Sequence, residues 1–274
     1  MEFEIGIPGT SRFQDAEKYS AYLRTPAGRL RSDLAWANLR HFLPRNAAKS
    51  RALDVGGGTG FASVELARLG YDVVLLDSSE QMLQIACQQA DSLKAAPQIS
   101  FCHAESAQLP KLFGAESFDV VVCHNVLEYM EDPAATVRDV AHVLRADGVL
   151  SVVVRNRLGE VLKDAVKSGD WKLASTNLTA ETVVDTLYGN RMRLFAPAEV
   201  REMLARAGLE IVAERGVRVF FDYLAQQNLA DEMYSQIFEL ESALGARPEY
   251  FTIARYIQVI ARRSHTTSGE VNRA

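Results

Sequence analysis

Residues 56–60 read Gly56-Gly57-Gly58-Thr59-Gly60 and stand between an apolar run, 51–55 (RALDV), and a segment of helical pattern, 61–69 (FASVELARL). Glycine tolerates positive φ and lets the backbone approach a ligand, so such a cluster offers main-chain N–H groups as a cradle. Asp77 closes the next apolar run, 21 residues after Gly56. A carboxylate at that distance accepts two hydrogen bonds at once and suits the vicinal hydroxyls of a ribose. The cluster breaks the G-x-G-x-x-G pattern of diphosphate binding, because the last position falls on Phe61 counted from Gly56 and on Ser63 counted from Gly58. A nicotinamide oxidoreductase is therefore disfavoured. The loop does keep D-x-G-x-G-x-G, through Asp54, Gly56, Gly58 and Gly60.

These residues need a scaffold, and the chain alternates short β-branched runs with helical patterns as parallel βα units do. Strands are predicted at 51–55, 72–76, 99–103, 118–123 and 149–154. Helices are predicted at 61–69 before Gly70, at 79–95 behind Ser78 or Ser79, at 133–145 after Asp132-Pro133, and at 197–207 between Pro197 and Gly208. The apolar runs 210–221 and 250–261 read as two strands extending the same sheet as an antiparallel pair. Residues 12–43 read as one or two helices, 158–190 and 225–245 as helical insertions, and the polar tail 264–274 as disordered. The expectation is an α/β fold: a doubly wound, mostly parallel, Rossmann-like sheet with helical insertions, forming one domain over 1–263 with a ligand-binding core at 51–155.

Strand ends are where open α/β sheets place their ligands. His124 ends the fourth strand and Arg155 follows the fifth, while Arg218, Arg255, Tyr223 and Tyr256 lie near the ends of the last two apolar runs. Arginines there suit an anionic substrate; His124 is the nearest base for a substrate that must lose a proton.

Composition excludes other classes. The 274 residues are 48% apolar with a net charge of −5, which is ordinary for a globular protein. No run reaches the ~18 apolar residues of a membrane span and no signal pattern opens the chain, so a cytoplasmic protein without a membrane partner is expected. Cys87, Cys102 and Cys123 lack the spacing of a disulfide framework or a zinc site. Residues 51–150 carry a net −8, whereas 1–50 carry +3 and 151–274 are neutral, so an anionic partner is expected to meet the flanks.

The loop around Asp54 resembles the first motif of class I S-adenosylmethionine-dependent methyltransferases. Asp77-Ser78-Ser79-Glu80-Gln81-Met82 resembles their second motif, and 118–129 (FDVVVCHNVLEY) resembles their fourth. The resemblance implies that S-adenosylmethionine is the cofactor and S-adenosylhomocysteine the product. It places Asp54, Gly56, Gly57, Gly58 and Gly60 around the cofactor's amino acid moiety, Asp77 with Ser78 at the ribose, Met82 beside the adenine, Ser106 and Ala107 framing it, and His124 facing the cofactor. Glu105 or Gln108 stands near the family's usual acidic residue. Three further segments, 25–31 (TPAGRLR), 216–224 (GVRVFFDYL) and 253–257 (IARYI), resemble the bacterial tRNA carboxymethoxyuridine methyltransferases, and the likeness runs over nearly the whole chain. It implies that Arg31 holds the methionine carboxylate. It also implies in-line methyl transfer to a carboxylate, and from their places at strand ends or in segments covering the pocket Arg155, Arg218 and Arg255 are the candidates to position it, with Tyr256 and Tyr223 as donors. Residues 185–193 hold two arginines and no lysine, few cations for a phosphate backbone, so the acceptor stays open between tRNA and a small molecule. The alternatives are a small-molecule O- or N-methyltransferase, another S-adenosylmethionine-using enzyme, or a binding module that keeps only the cofactor fold.

Overall fold

The computed structural model describes residues 16–44, 50–184, 189–224 and 229–264. The predicted tail beyond Ser264 lies outside them. In chain order the elements are α1 (Ala16–Arg24), α2 (Pro26–Arg40), β1 (Arg51–Val55), α3 (Phe61–Arg68), β2 (Asp72–Asp77), α4 (Glu80–Ser92), β3 (Ile99–His103), α5 (Leu109–Leu112), β4 (Phe118–His124), α6 (Pro133–Val143), β5 (Leu144–Arg155), α7 (Arg157–Leu162), α8 (Trp171–Asn177), β6 (Thr182–Val184), β7 (Arg191–Arg193), α9 (Pro197–Arg206), β8 (Leu209–Val217), α10 (Asp231–Gly245), α11 (Pro248–Phe251) and β9 (Tyr256–Arg263).

Seven strands form one sheet in the order β3-β2-β1-β4-β5-β9-β8. β1 to β5 run parallel, and β9 is antiparallel to both β5 and β8. Alternate residues of each strand feed opposite layers. Leu53, Val55, Val121, Cys123, Leu150, Val152, Ile257 and Val259 join a core that includes Val137 and Val140 of α6 and Val200 and Leu204 of α9. Ala52, Val73, Leu75, Val120, Val122 and Ile260 join another with Leu39 of α2, Val64 and Leu66 of α3, and Leu83 and Ala86 of α4. Burial on both faces explains why the strands read as unbroken apolar runs rather than alternating ones.

The helix ends follow their expected caps. The Ser79 hydroxyl accepts from Met82 N, and the Asp132 carboxylate accepts from Ala135 N. Thr25 caps α2, which Pro26 opens.

Three predicted elements differ. The run 250–261 becomes a strand only from Tyr256, because Pro248–Phe251 closes a helical turn. The run 210–221 ends its strand at Val217, where Arg218 adopts φ 61°, and continues as the 3₁₀ turn Phe221–Tyr223. The insertion 158–190 is helical only in its first part: α7 passes into a π-helical turn, Lys163–Lys167, then α8, and its end pairs antiparallel as β6 with β7. A three-residue strand is too short to carry a period, so composition alone assigned this stretch to helix.

α7 is pressed against the segment that leads into β9. A Cβ on Gly159 would run into the Ala254 carbonyl oxygen and lie 2.8 Å from Arg255 Cα. Helix propensity alone favours alanine over glycine by about 1 kcal/mol. Gly159→Ala is nevertheless expected to destabilise the protein by about 1–3 kcal/mol, since backbone must move to admit the methyl. A lower urea midpoint at unchanged m is the expected reading, and a midpoint raised as propensity dictates would refute the close packing.

Candidate active site

The glycine loop is held by strand ends on both sides. Gly56 N donates to Leu76 O at 2.7 Å, and Gly58 N donates to one Asp77 oxygen at 2.8 Å. The other Asp77 oxygen accepts from Ser79 N at 2.8 Å. Gly56 has φ 61°, and a Cβ there would lie 2.6 Å from Val126 Cγ2, so both conformation and space demand glycine. Burial raises the Asp77 pKa against the pull of these two N–H groups. Each oxygen keeps a lone pair free on the side of a cavity of about 340 Å³ above the carboxyl ends of the strands.

Most of the predicted residues meet in this cavity. Gly56, Gly58, Asp77, Ser78, Met82, Ser106, His124, Arg31, Arg155, Arg218, Arg255 and Tyr256 all line it. Four do not. Asp54 lies behind the loop, only 3% exposed, and accepts from the Ser63 hydroxyl at 2.7 Å. Burial pushes its pKa up to about 7 despite that bond. Gly57 faces Asp54 and Leu75, and Gly60 is the left-handed N-cap of α3. Together these three shape the loop from below, and spacing alone could not separate support from contact. Ala107 lies outside the lining, as does Tyr223. Gln108 caps its own turn by accepting from Glu105 N at 2.9 Å, leaving Glu105 as the acid at the cavity wall.

The opposite end is cationic. Arg31, Arg155 and Arg218 stack around the Tyr256 ring with guanidinium carbons 5.7, 4.7 and 5.6 Å from its centroid. Arg218 forms a two-pronged pair with Asp222, and Arg255 pairs with Glu160. Arg155 stands 3.6 Å from Glu160, and its buried Nε has no hydrogen-bond partner among the described residues. Arg31 donates to the Tyr19 hydroxyl at 2.8 Å and pairs with no carboxylate among the described residues. Burial pushes the Tyr256 pKa up, but Arg155, Arg218, Arg31 and Arg255 outweigh it and bring the phenol down to about 7. Burial likewise raises Glu160, yet Arg255, Arg155 and Lys163 hold it at about 2.

His124 sits between the two ends. Its Nε2 lies 2.8 Å from Ser151 Oγ. Gln258 directs its amide N–H groups to Ala35 O at 2.9 Å and to Ser151 Oγ at 3.1 Å. Where the Ser151 hydroxyl donates to Nε2, the neutral imidazole carries its own proton on Nδ1. Burial, helped by the charge of Arg31, lowers the His124 pKa to about 3. It is a poor base at neutral pH.

Sequence reasoning missed Tyr19, Tyr22, Glu128, Lys163, Met192 and Asp222, which also line the cavity. Tyr19 and Tyr22 are one helical turn apart on α1, a visible pattern with nothing to say where the face would point. The Glu128 carboxylate accepts from Arg155 N at 2.8 Å and from Asn125 Nδ2 at 3.0 Å, and its second oxygen is buried without a partner among the described residues.

A family profile described as a methyltransferase domain matches residues 46–208. The chain belongs to the methyltransferase-domain family. The tRNA 5-carboxymethoxyuridine methyltransferase of Escherichia coli K12 is 32% identical over 251 residues, 90% of this chain and 94% of that one. Among solved structures, an S-adenosylmethionine-dependent methyltransferase from Listeria monocytogenes superposes with a TM-score of 0.59 at 16% identity, covering 86% of this chain and 99% of the other. The [4+2]-cyclase SpnF does so at 0.58 and 20% identity, covering 95% and 99%. The last two share the fold alone. The protein is an S-adenosylmethionine-dependent methyltransferase, and no helix among its described residues is long and apolar enough to cross a membrane.

Two measurements check the electrostatics of this methyltransferase. In ¹⁵N-histidine spectra His124 is expected to stay neutral with its proton on Nδ1 from about pH 5 to 8, and a titration in that range would refute the relay. Tyr256 is expected to ionise near 7, against an ordinary value of 10.0. Between those values the unfolded chain holds the proton that the folded chain has lost, so stability rises with pH across the window, and this contribution disappears as pH falls through about 7. Tyr256→Phe should remove both that slope and the tyrosinate absorbance seen near neutral pH; no tyrosinate at about pH 8 in the wild type, where ordinary tyrosines are still almost wholly protonated, would overturn the assignment.

Proposed function

We propose that this methyltransferase esterifies a carboxylate on an RNA base, as the E. coli relative's name describes for carboxymethoxyuridine in tRNA. One observation carries the reading. Of the four buried arginines around Tyr256, two are engaged by carboxylates in close contact and two, Arg31 and Arg155, are not. Two under-partnered guanidinium groups match two incoming carboxylates, that of the cofactor's methionine moiety and that of the acceptor.

The residues present fit S-adenosylmethionine. Gly56 and Gly58 bring backbone to the cavity at positive φ, Asp77 offers two buried oxygens to a ribose, and Met82 and Ser106 line the same end. Arg31 faces the methionine carboxylate, and Asp54, Gly57 and Gly60 hold the loop. Bound S-adenosylmethionine would supply an electrophilic methyl group on a positively charged sulfur, and an ionised carboxylate would accept it with no proton to lose.

That last feature agrees with the His124 environment. A phenol or amine acceptor needs a base, and the nearest candidate has its Nε2 occupied and a pKa near 3. A carboxylate is already ionised and needs only alignment and shielding from water. Arg155 orients it, Arg218 and Arg255 hold the surrounding field and Tyr256 lies at their centre. The segment 158–184 covers the substrate side, whereas 229–245 does not line the cavity, and the enzyme works where tRNA is found, in the cytoplasm.

The test is methyl transfer from labelled S-adenosylmethionine to tRNA carrying 5-carboxymethoxyuridine, with the methyl recovered as a base-labile ester. Arg155→Ala is expected to lower kcat/KM roughly 10- to 100-fold while S-adenosylhomocysteine still binds, because one charged hydrogen bond to the acceptor is lost. Label in a base-stable position, or no label in RNA, would refute the reading.

A further inference from the structure

Beyond the site just described lies a second cavity of about 580 Å³, built from the insertion. It shares Arg155, Lys163, Met192 and Arg255 with the first cavity, so these four side chains are a common wall. On its far side stand α8 and the hairpin β6–β7, which contribute Leu173, Val183 and Val184 as apolar surface and Thr176, Asn177 and Thr182 as neutral polar groups. The glycine loop, Asp77, Met82 and Ser106 line only the first cavity.

The shared wall is poised rather than closed on itself. Lys163 begins the π-helical turn, and its Nζ reaches Glu160 at 2.6 Å and Asp164 at 3.1 Å. Such turns place side chains off the helical rows and recur at functional positions. Arg155 Nε, buried and without a partner among the described residues, belongs to a residue that lines both cavities. An unmet buried donor costs free energy until an acceptor arrives.

We propose that this second cavity is the acceptor chamber, taking a flat polar ring between α8 and the β6–β7 hairpin and passing its carboxylate arm through the shared wall to Arg155. The volume suits one nucleobase with its substituent, and apolar faces with a few polar edges suit an unstacked base. Lys163 acts as a positioning residue that balances Glu160 and so keeps Arg155 free for the carboxylate. The chamber rests on the carboxylate-on-RNA reading above.

Two variants and two readouts test it. Thr176 is exposed on α8 at the chamber wall, so Thr176→Trp fills the chamber without entering a core. With tRNA carrying 5-carboxymethoxyuridine, Thr176→Trp and Lys163→Met are expected to raise KM about tenfold or more. In Thr176→Trp the dissociation constant for S-adenosylhomocysteine and the urea midpoint should stay at wild-type values. In calorimetry with S-adenosylhomocysteine present, 5-carboxymethoxyuridine nucleoside should bind wild type at least about tenfold more tightly than its methyl ester, and Thr176→Trp should abolish that binding. A wild-type KM in Thr176→Trp, or equal binding of acid and ester, overturns the chamber alone. No transfer from wild type to that tRNA overturns the functional reading and the chamber with it.

Discussion

Four guanidinium groups buried around one tyrosine are the constraint on which the substrate end of this methyltransferase depends. Like charges at this density are tolerated only where carboxylates and π faces compensate them, and removing one partner of a buried pair costs about 3–5 kcal/mol. The chain meets the demand locally and at a distance: Asp222, four residues on, pairs with Arg218, Glu160 of α7 pairs with Arg255, and Tyr22 and Tyr256 offer their faces. Glu241 of α10 adds a further tie, because its carboxylate accepts from the backbone N–H groups of Phe220 and Phe221 at 3.0 and 2.8 Å. Those bonds hold the turn in which Arg218 keeps its positive φ, a conformation unfavourable outside glycine unless its surroundings enforce it. α10 itself lines neither cavity. It fixes the backbone from which one of the four arginines projects.

The same electrostatics assign the two ends of the cavity different tasks. Asp77 and Glu105 lie at the glycine-loop end, where neutral hydroxyls and an amine can donate to them, while the arginines lie at the end where carboxylates are expected. Tyr256, drawn down to about 7, places a partial negative charge among the cations. An arriving carboxylate takes over that role and raises the phenol again, so binding an anionic ligand is coupled to proton uptake at Tyr256.

How far this was legible depended on the range of the interactions. β1 to β4, the glycine loop, Asp77 and the caps at Ser79 and Asp132 follow from local chemistry, and the sequence reading placed them within a residue or two. Asp54 was assigned to the ligand because a motif records only that a carboxylate is required. In the structure Asp54 accepts from the Ser63 hydroxyl and lines a smaller pocket beside Gly56, Arg31 and His124, not the main cavity. Lys163, Asp222 and Glu128 were missed for a different reason. Lys163 and Asp222 pair with near neighbours, Glu160 and Arg218, and Glu128 holds the more distant backbone of Arg155; local spacing permits the first two pairs, but only folding brings all three residues to one cavity. The β6–β7 hairpin was missed because three residues carry no period.

α2 joins the two ends. Arg31, Ala35 and Asn38 share one face at helical spacing. Arg31 reaches the cavity, while Ala35 O and Asn38 Nδ2 bind the two ends of the Gln258 amide at 2.9 Å each. Ser151, Gln258 and His124 lie on the sheet face that α2 covers, so a single helix register sets both the guanidinium at the cavity and the amide orientation that fixes the His124 tautomer. The positive charge of Arg31 also contributes to keeping His124 neutral. Moving α2 along its axis by one residue would carry Arg31 off the cavity and release Gln258 together, which couples the site's cation to its hydrogen-bond relay through backbone geometry rather than through direct contact.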